Sequence, residues 1–231
     1  MELSKRLKFI AGHIDKCDSL IDVGTDHGYI PIYAVKNNLC NKAIASDINK
    51  GPVEKAKLNA SLDGVSSQVQ VRLGGGLEVV KKGEVEAVVI AGMGGNLIIN
   101  ILEKDKKKLS LYKFMILQPA QNPEVLREYL YTNGYEIIEE DICLDEGIFY
   151  ELFKVRKSED MKVSIDPIFY EFSSILLKRK HPLFHSFLEY KEEKYKKILE
   201  LIKEESESSK KRRIEIIEKL KTIEIFKEEV K

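Results

Sequence analysis

The sequence predicts an α/β fold, a mostly parallel sheet that ends in an antiparallel hairpin and is followed by a helical carboxyl-terminal segment. Three observations carry this. Short apolar runs alternate with amphipathic stretches from Ser19 to about Arg156, the signature of repeated β-α units. Two aliphatic and aromatic runs, YEIIEEDICL and IFYELFKV, are separated only by DEG, a gap that suits a hairpin. After Arg156 the composition shifts to long charged stretches with sparse apolar residues. Residues 1–156 and 157–231 are therefore the expected domains.

In order, LSKRLKFIAGHI places Leu3, Leu7, Ile10 and Ile14 at spacings of three and four, an amphipathic helix packing on the sheet or rimming its site. Candidate strands follow at Leu20–Val23, Ala43–Ser46, Val69–Arg72, Ala87–Ala91 and Phe114–Leu117, with helices after Gly28, Pro52, Gly94 and Pro123. In the tail, Phe184, Leu188, Tyr195, Ile198 and Ile202 fit one helical face, and Ile214, Ile217, Leu220 and Ile223 another, divided by ESESSK. Neither stretch can bury itself alone, so an antiparallel, coiled-coil-like helical hairpin is expected.

Composition narrows the function. The 231 residues are 43% hydrophobic, enough for a substantial core, and 38 basic and 38 acidic residues cancel, so no global field marks a polyanionic partner. Basic side chains gather locally in KRKH at 178–181 and KKRR at 210–213. Cys17, Cys40 and Cys143 have no C-x-x-C spacing, so neither a disulfide framework nor a metal site is expected. The polar amino terminus and the short apolar run AVVIAGM give no secretory or membrane segment. A cytoplasmic monomer is the expectation.

Function should lie in the loops after the strands. The first, DVGTDHG, departs from G-x-G-x-x-G: Gly24 allows the turn, but Asp26 and His27 stand where glycine is usual, before Gly28. In the second, Asp47 lies 25 residues beyond Asp22, where an acid accepts from both hydroxyls of a ribose. The third is RLGGGL, room for a flat base beside Gly74, Gly75 and Gly76; the fourth, IAGMGGNLI, leaves a main-chain wall around Gly92 and Met93; the fifth, LQPAQNP, offers the Gln118 amide to an adenine edge. Plain readings stand beside these. Asp22 and Asp26 suit helix capping, His27 suits a hydrogen-bonded structural role, and the basic clusters suit solvated faces.

Together LSKRL, DVGTDHGYIPIY, KGP, VRLGGGLEV, IAGMGGNLI, LQP and IFYEL resemble the bacterial tRNA (adenine-22-N1)-methyltransferase family, and the resemblance extends into FYEFSSILLKRKHPLF. It implies an S-adenosylmethionine-dependent enzyme on a Rossmann-like, seven-stranded class I methyltransferase sheet, acting on adenosine of the tRNA D-loop region. Carried over by position, it puts Asp22, Gly24, Thr25, Asp26, Gly28 and Tyr29 at the methionine end of the cofactor. Asp47 and Ile48 fall at the ribose, Gly74, Gly75, Gly76 and Leu77 at the adenine, and Gly92 and Met93 in the wall. Two positions depart from the family pattern: Gly75 replaces an Asp or Asn, and Ala120 replaces an asparagine.

Methylation at N1 needs the base unpaired and held in line with the methyl donor. Asp26 is the expected acid at the transfer site, with His27 and Gln118 holding the base edge. Arg6, Lys178, Arg179, Lys180, Lys210, Lys211, Arg212 and Arg213 are the expected RNA phosphate contacts. Two rival readings remain: a nicotinamide-dependent oxidoreductase, which Asp26 argues against by interrupting the glycine pattern, and a non-catalytic RNA-binding module on a decayed cofactor fold.

Overall fold

The computed structural model describes residues 2–158, 163–203 and 206–231. In chain order the elements are α1 (Lys5–Gly12), β1 (Cys17–Val23), α2 (Tyr29–Lys36), β2 (Cys40–Asp47), α3 (Lys50–Leu62), β3 (Val69–Leu73), β4 (Ala87–Gly94), α4 (Gly95–Lys104), α5 (Lys106–Leu109), β5 (Phe114–Gln121), α6 (Pro123–Thr132), β6 (Tyr135–Asp145) and β7 (Ile148–Lys157). Then follow α7 (Ile168–Glu171), α8 (Ser174–Lys178), α9 (Phe184–Leu201) and α10 (Glu207–Glu229). The chain divides into two compact units, Met1–Ile165 and Asp166–Lys231.

In the first unit the strand order is β3-β2-β1-β4-β5-β7-β6, the expected Rossmann-like sheet. β1 to β5 pair in parallel and β7 runs antiparallel to both neighbours. Parallel strands covered on both faces read as continuous apolar runs, and Ile21 in β1, Val88 to Ile90 in β4 and Met115 to Leu117 in β5 are fully buried. One face packs Ile10, Ile32 and Ala56 from α1, α2 and α3; the other packs Ile98, Leu102, Leu126 and Leu130 from α4 and α6. The observed strands outrun the apolar runs by up to four residues at an end, because ladder pairing continues where side chains turn polar, as at Gln118 opposite Ala91.

Local chemistry sets the boundaries. Ser4 caps α1, its hydroxyl accepting from Leu7 N at 3.2 Å. α3 starts at Lys50, two residues before Pro52, because Asp47 Oδ1 accepts from Asn49 N at 2.7 Å and turns the chain early. Gly95 opens α4 against the next loop, where an added Cβ would sit 2.4 Å from the Asn122 carbonyl oxygen.

In the second unit α9 and α10 form an antiparallel hairpin: Lys227 Nζ meets Glu192 at 2.9 Å, Lys219 Nζ meets the Tyr195 hydroxyl at 3.5 Å, and Arg213 Nη2 donates to the Ile202 carbonyl at 2.9 Å. Glu205, in the ESESSK break, lies outside the described residues. The face of α9 is as expected, with Phe184, Leu188 and Tyr195 buried. That of α10 is not. Ile223 is buried as expected, but Ile214 and Ile217 are 58% and 40% exposed, and Ile216 and Phe226 are buried instead. Two isoleucine stripes compete on this helix, and the one ending in Phe226 wins because that ring stacks on Phe169 at 5.9 Å and meets Phe172 edge-on at 6.1 Å. Beneath them the buried Glu171 accepts from Lys191 Nζ at 2.6 Å and Lys219 Nζ at 3.0 Å. Against the cost of its burial, these two ammonium groups hold its carboxyl down at about 2.

Candidate active site

The carboxyl ends of β1 and β4 meet α1 and the start of α2 around a cleft of about 180 Å3 lined by Arg6, Leu7, Asp22, Gly24, Thr25, Asp26, His27, Tyr29, Ile30 and Ala91. A larger cleft of about 350 Å3, among Ser19, Lys42, Gln68, Gln70 and Glu84, opens near the amino ends of the strands, the end of an α/β sheet where ligands are not expected.

The first turn folds back onto β2, with Gly24 N and Thr25 N both donating to the Ser46 carbonyl at 2.8 Å. Gly24 takes φ +76, and the Met93 methyl fills the space above it, 2.0 Å from where a Cβ would stand. A side chain here would be strained by the positive φ and would have to displace the Met93 methyl. Gly28, at φ +71, packs against Ala56 and lets α2 begin at Tyr29.

Asp22 is buried at 7% exposure, and burial pushes its carboxyl from the ordinary 3.8 up to about 6, opposed by a hydrogen bond from Thr25 and reinforced by the charge of Asp47. The folded chain therefore holds a proton between pH 4 and 6 that the unfolded chain has released. Stability from this group is complete below about 4 and is lost as pH rises to 6, a difference of about 3 kcal/mol. Asp22→Asn is expected to raise the cofactor-free melting midpoint at pH 7 by about 5 °C or more and to flatten the profile between pH 4 and 6. Calorimetry showing the wild-type profile unchanged would refute this assignment.

Asp26 is exposed, its Oδ2 lying 3.1 Å from His27 Nε2. The His27 ring stacks on Tyr29 with centroids 5.0 Å apart, and its carbonyl accepts from Asn59 Nδ2 at 2.9 Å. These contacts make a flat polar wall. Asp47 ends β2 with its carbonyl accepting from Gly74 N at 2.9 Å. Beside it Ile48 is 70% exposed, its Cγ2 only 3.0 Å from where a Gly75 Cβ would stand. Ile48 thus packs directly on the Gly75 backbone and leaves an exposed apolar face at the loop, a surface on which a planar base could lie. Leu77 does not line it: the residue is fully buried in the core beneath the loop, because its side chain turns inward with Val80 and Val85.

Two further expectations are redrawn. Gln118 is fully buried, with Nε2 donating to the Pro119 carbonyl at 2.7 Å and Oε1 accepting from Arg6 Nη1 at 3.5 Å. Its amide is spent inside the protein and supports Arg6. Arg6, expected on an RNA-facing surface, stands in the cleft, its guanidinium 5.3 Å over the Tyr150 ring and its backbone N donating to Asp145 Oδ2 at 2.9 Å. In sequence it sits at the border of the apolar face of α1, next to Leu7, the one signal that it points inward. Leu7, Ile30 and Ala91 were missed as lining residues, since each also reads as core.

The other basic candidates lie in the second unit. Lys178, Arg179 and Lys180 are exposed at and after the end of α8. Lys210, Lys211 and Arg212 are exposed on the first turns of α10, Lys210 pairing with Glu207 at 3.3 Å and Arg212 with Glu215 at 3.5 Å. Arg213 instead caps α9 through Ile202.

Carboxylates near the ends of two adjacent strands and a glycine-rich loop at the third suit a nucleoside cofactor. Comparison with known proteins agrees. The profile of the family described as TrmK, tRNA (adenine(22)-N(1))-methyltransferase, matches residues 20–225. A tRNA (adenine(22)-N(1))-methyltransferase of Bacillus subtilis (strain 168) is 43% identical over 168 residues, which cover 73% of this chain and 70% of the relative. The crystal structure of the B. subtilis m1A22 tRNA methyltransferase TrmK superposes with a TM-score of 0.85 at 34% identity, over 98% of this chain and 99% of that one. Streptococcus pneumoniae Sp1610, solved in complex with S-adenosyl-L-methionine, superposes at 0.86 with 31% identity, over 98% and 100%. Cofactor-type cleft, strand order and sequence agree: the chain belongs to the tRNA (adenine(22)-N(1))-methyltransferase family.

Proposed function

We propose that this protein transfers a methyl group from S-adenosylmethionine to N1 of adenosine 22 in tRNA. The observation that carries the reading is the placement of Asp22 and Asp47 near the carboxyl ends of the adjacent parallel strands β1 and β2, close enough that the charge of Asp47 acts on Asp22, with Ile48 and the Gly74–Gly76 backbone beside them.

The residues fit the cofactor. Asp47 would take the ribose hydroxyls, Ile48 and the Gly74–Gly76 backbone the adenine, and Asp22 with the Gly24–Gly28 turn and Tyr29 the methionine end. Bound there, the cofactor supplies an electrophilic methyl on a sulfonium. The protein's work is to hold the target. Neutral N1 already carries a lone pair, so no side chain must remove a proton from it, and positioning supplies much of the rate. The base leaves its stack to reach the cleft. Asp26, exposed beside His27, accepts from the adenine amino group and faces the positive charge that the base acquires; His27 and Tyr29 offer the stacked wall. Gln118 acts through Arg6, whose guanidinium in the cleft takes an RNA phosphate.

The test is methyl transfer to a tRNA transcript with the modified base mapped. Methylation at adenosine 22, and none when that base is replaced, supports the reading; binding without transfer supports the RNA-binding module, and tight nicotinamide dinucleotide binding the oxidoreductase. Asp26→Asn is expected to lower kcat about 100-fold with cofactor affinity near wild type. Unchanged turnover removes Asp26 from the reaction.

The carboxyl-terminal unit grips the tRNA, in the cytoplasm, through Lys178, Arg179, Lys180, Lys210, Lys211 and Arg212. Triple replacement of Lys210, Lys211 and Arg212 by Glu is expected to weaken tRNA binding and to lower its salt slope by about one for each lost contact. An unaltered slope in a filter-binding series would place the RNA elsewhere.

A further inference from the structure

The carboxyl end of α1 meets β6 at a cluster that methyl transfer does not use. His13, which closes α1, bonds through Nδ1 to the Phe9 carbonyl oxygen at 2.8 Å. A carbonyl only accepts, so a ring proton sits on Nδ1 and Nε2 faces away from the helix. Opposite Nε2 are two carboxylates of β6, Asp141 Oδ2 at 3.1 Å and Glu139 Oε1 at 3.8 Å. A bulge brings them there: the β6–β7 register slips between Ile137 and Glu139, leaving Ile138 exposed and turning Glu139 and Asp141 to one face. The three ligating atoms lie within 4.8 Å of one another.

A second proton or a divalent cation could sit among these atoms. A proton on Nε2 hydrogen-bonds to Asp141 and reaches Glu139, at 3.8 Å, through charge only. A tetrahedral ion with bonds of about 2.0 Å spaces its ligands roughly 3.3 Å apart, between the two observed separations. It also balances both carboxylates. The Nδ1 bond to a carbonyl is the orienting contact that metal-bound imidazoles make. Lys154, opposite Glu139 on the ladder, has its ammonium on Asp15 Oδ1 at 2.7 Å.

We propose that His13, Glu139 and Asp141 form a site for a divalent transition metal of the zinc type, which fastens the end of α1 to β6. The other end of α1 is tied to the same strand through Arg6 N and Asp145, so the ion secures the helix that carries Arg6 into the cleft. This holds whether or not the chain methylates tRNA.

The test uses the full-length protein stripped by a chelator and titrated with Zn2+ by calorimetry and with Co2+ by visible absorption. Expected are one ion per chain, ligand-field bands without a thiolate charge-transfer band, and an affinity about tenfold or more weaker in His13→Gln and in Asp141→Asn. No saturable uptake by the wild type overturns the proposal, as does a thiolate band, which would place the ion on a cysteine. Equal uptake by His13→Gln, or by Glu139→Gln should the first variant not fold, does the same.

Discussion

Arg127→Met is expected to destabilise the amino-terminal unit by about 3–5 kcal/mol, lowering its melting midpoint by about 10 °C. Arg127 on α6 is 1% exposed, with Nε 3.2 Å from Glu140 Oε2 on β6 and Nη2 bonded to Glu151 on β7. Its guanidinium also lies 4.8 Å over the Phe153 ring. Methionine fills most of the volume, so packing is largely kept. What remains is two buried carboxylates stripped of their shared cation, far costlier than loss of a surface pair. The origin of the effect is checked by removing those charges too: Arg127→Met with Glu140→Gln and Glu151→Gln is expected to recover most of the midpoint. A triple variant as unstable as the single one would mean that Arg127 acts through shape.

Asp47→Ala is expected to weaken S-adenosylmethionine binding about 100-fold or more. A carboxylate that accepts from two ribose hydroxyls contributes about 1.5–3 kcal/mol for each bond. Asp47 also turns its own loop through Asn49 N, so alanine costs about 1 kcal/mol of local order as well. Asp47→Asn separates the two losses. It keeps the one acceptor oxygen that Asn49 needs but loses the charge and presents an amide donor in place of the second acceptor, and an intermediate affinity is expected. Titration calorimetry of both variants decides; if alanine binds within about threefold of wild type, the ribose acid lies elsewhere.

The sheet was legible because its signals are local. Each buried strand writes its own apolar run, and the three-residue DEG gap announces the hairpin of β6 and β7. The acids and glycines of the cleft were legible for the same reason, since they sit at strand ends where spacing is fixed. What escaped depends on partners far along the chain. Arg6 and Gln118 are 112 residues apart, and only the folded sheet shows the amide turned inward to the guanidinium. His13 and Asp141, 128 apart, meet across a bulge that no period-two pattern foretells. On α10 two isoleucine stripes were equally plausible by spacing, and Phe226 decided between them.

The sheet ends in β6, an eleven-residue strand with one ladder partner. A strand this long at a rim is a template onto which another chain can add itself and polymerise. Glu136, Glu139, Asp141 and Asp145, all partly exposed, put negative charge along it, and the bulge at Ile138 breaks the straight ladder that an incoming strand would need. A second β6 laid alongside would bring four carboxylates against four. The acidic rim thus also discourages fibril growth, and replacing these acids would expose that hazard.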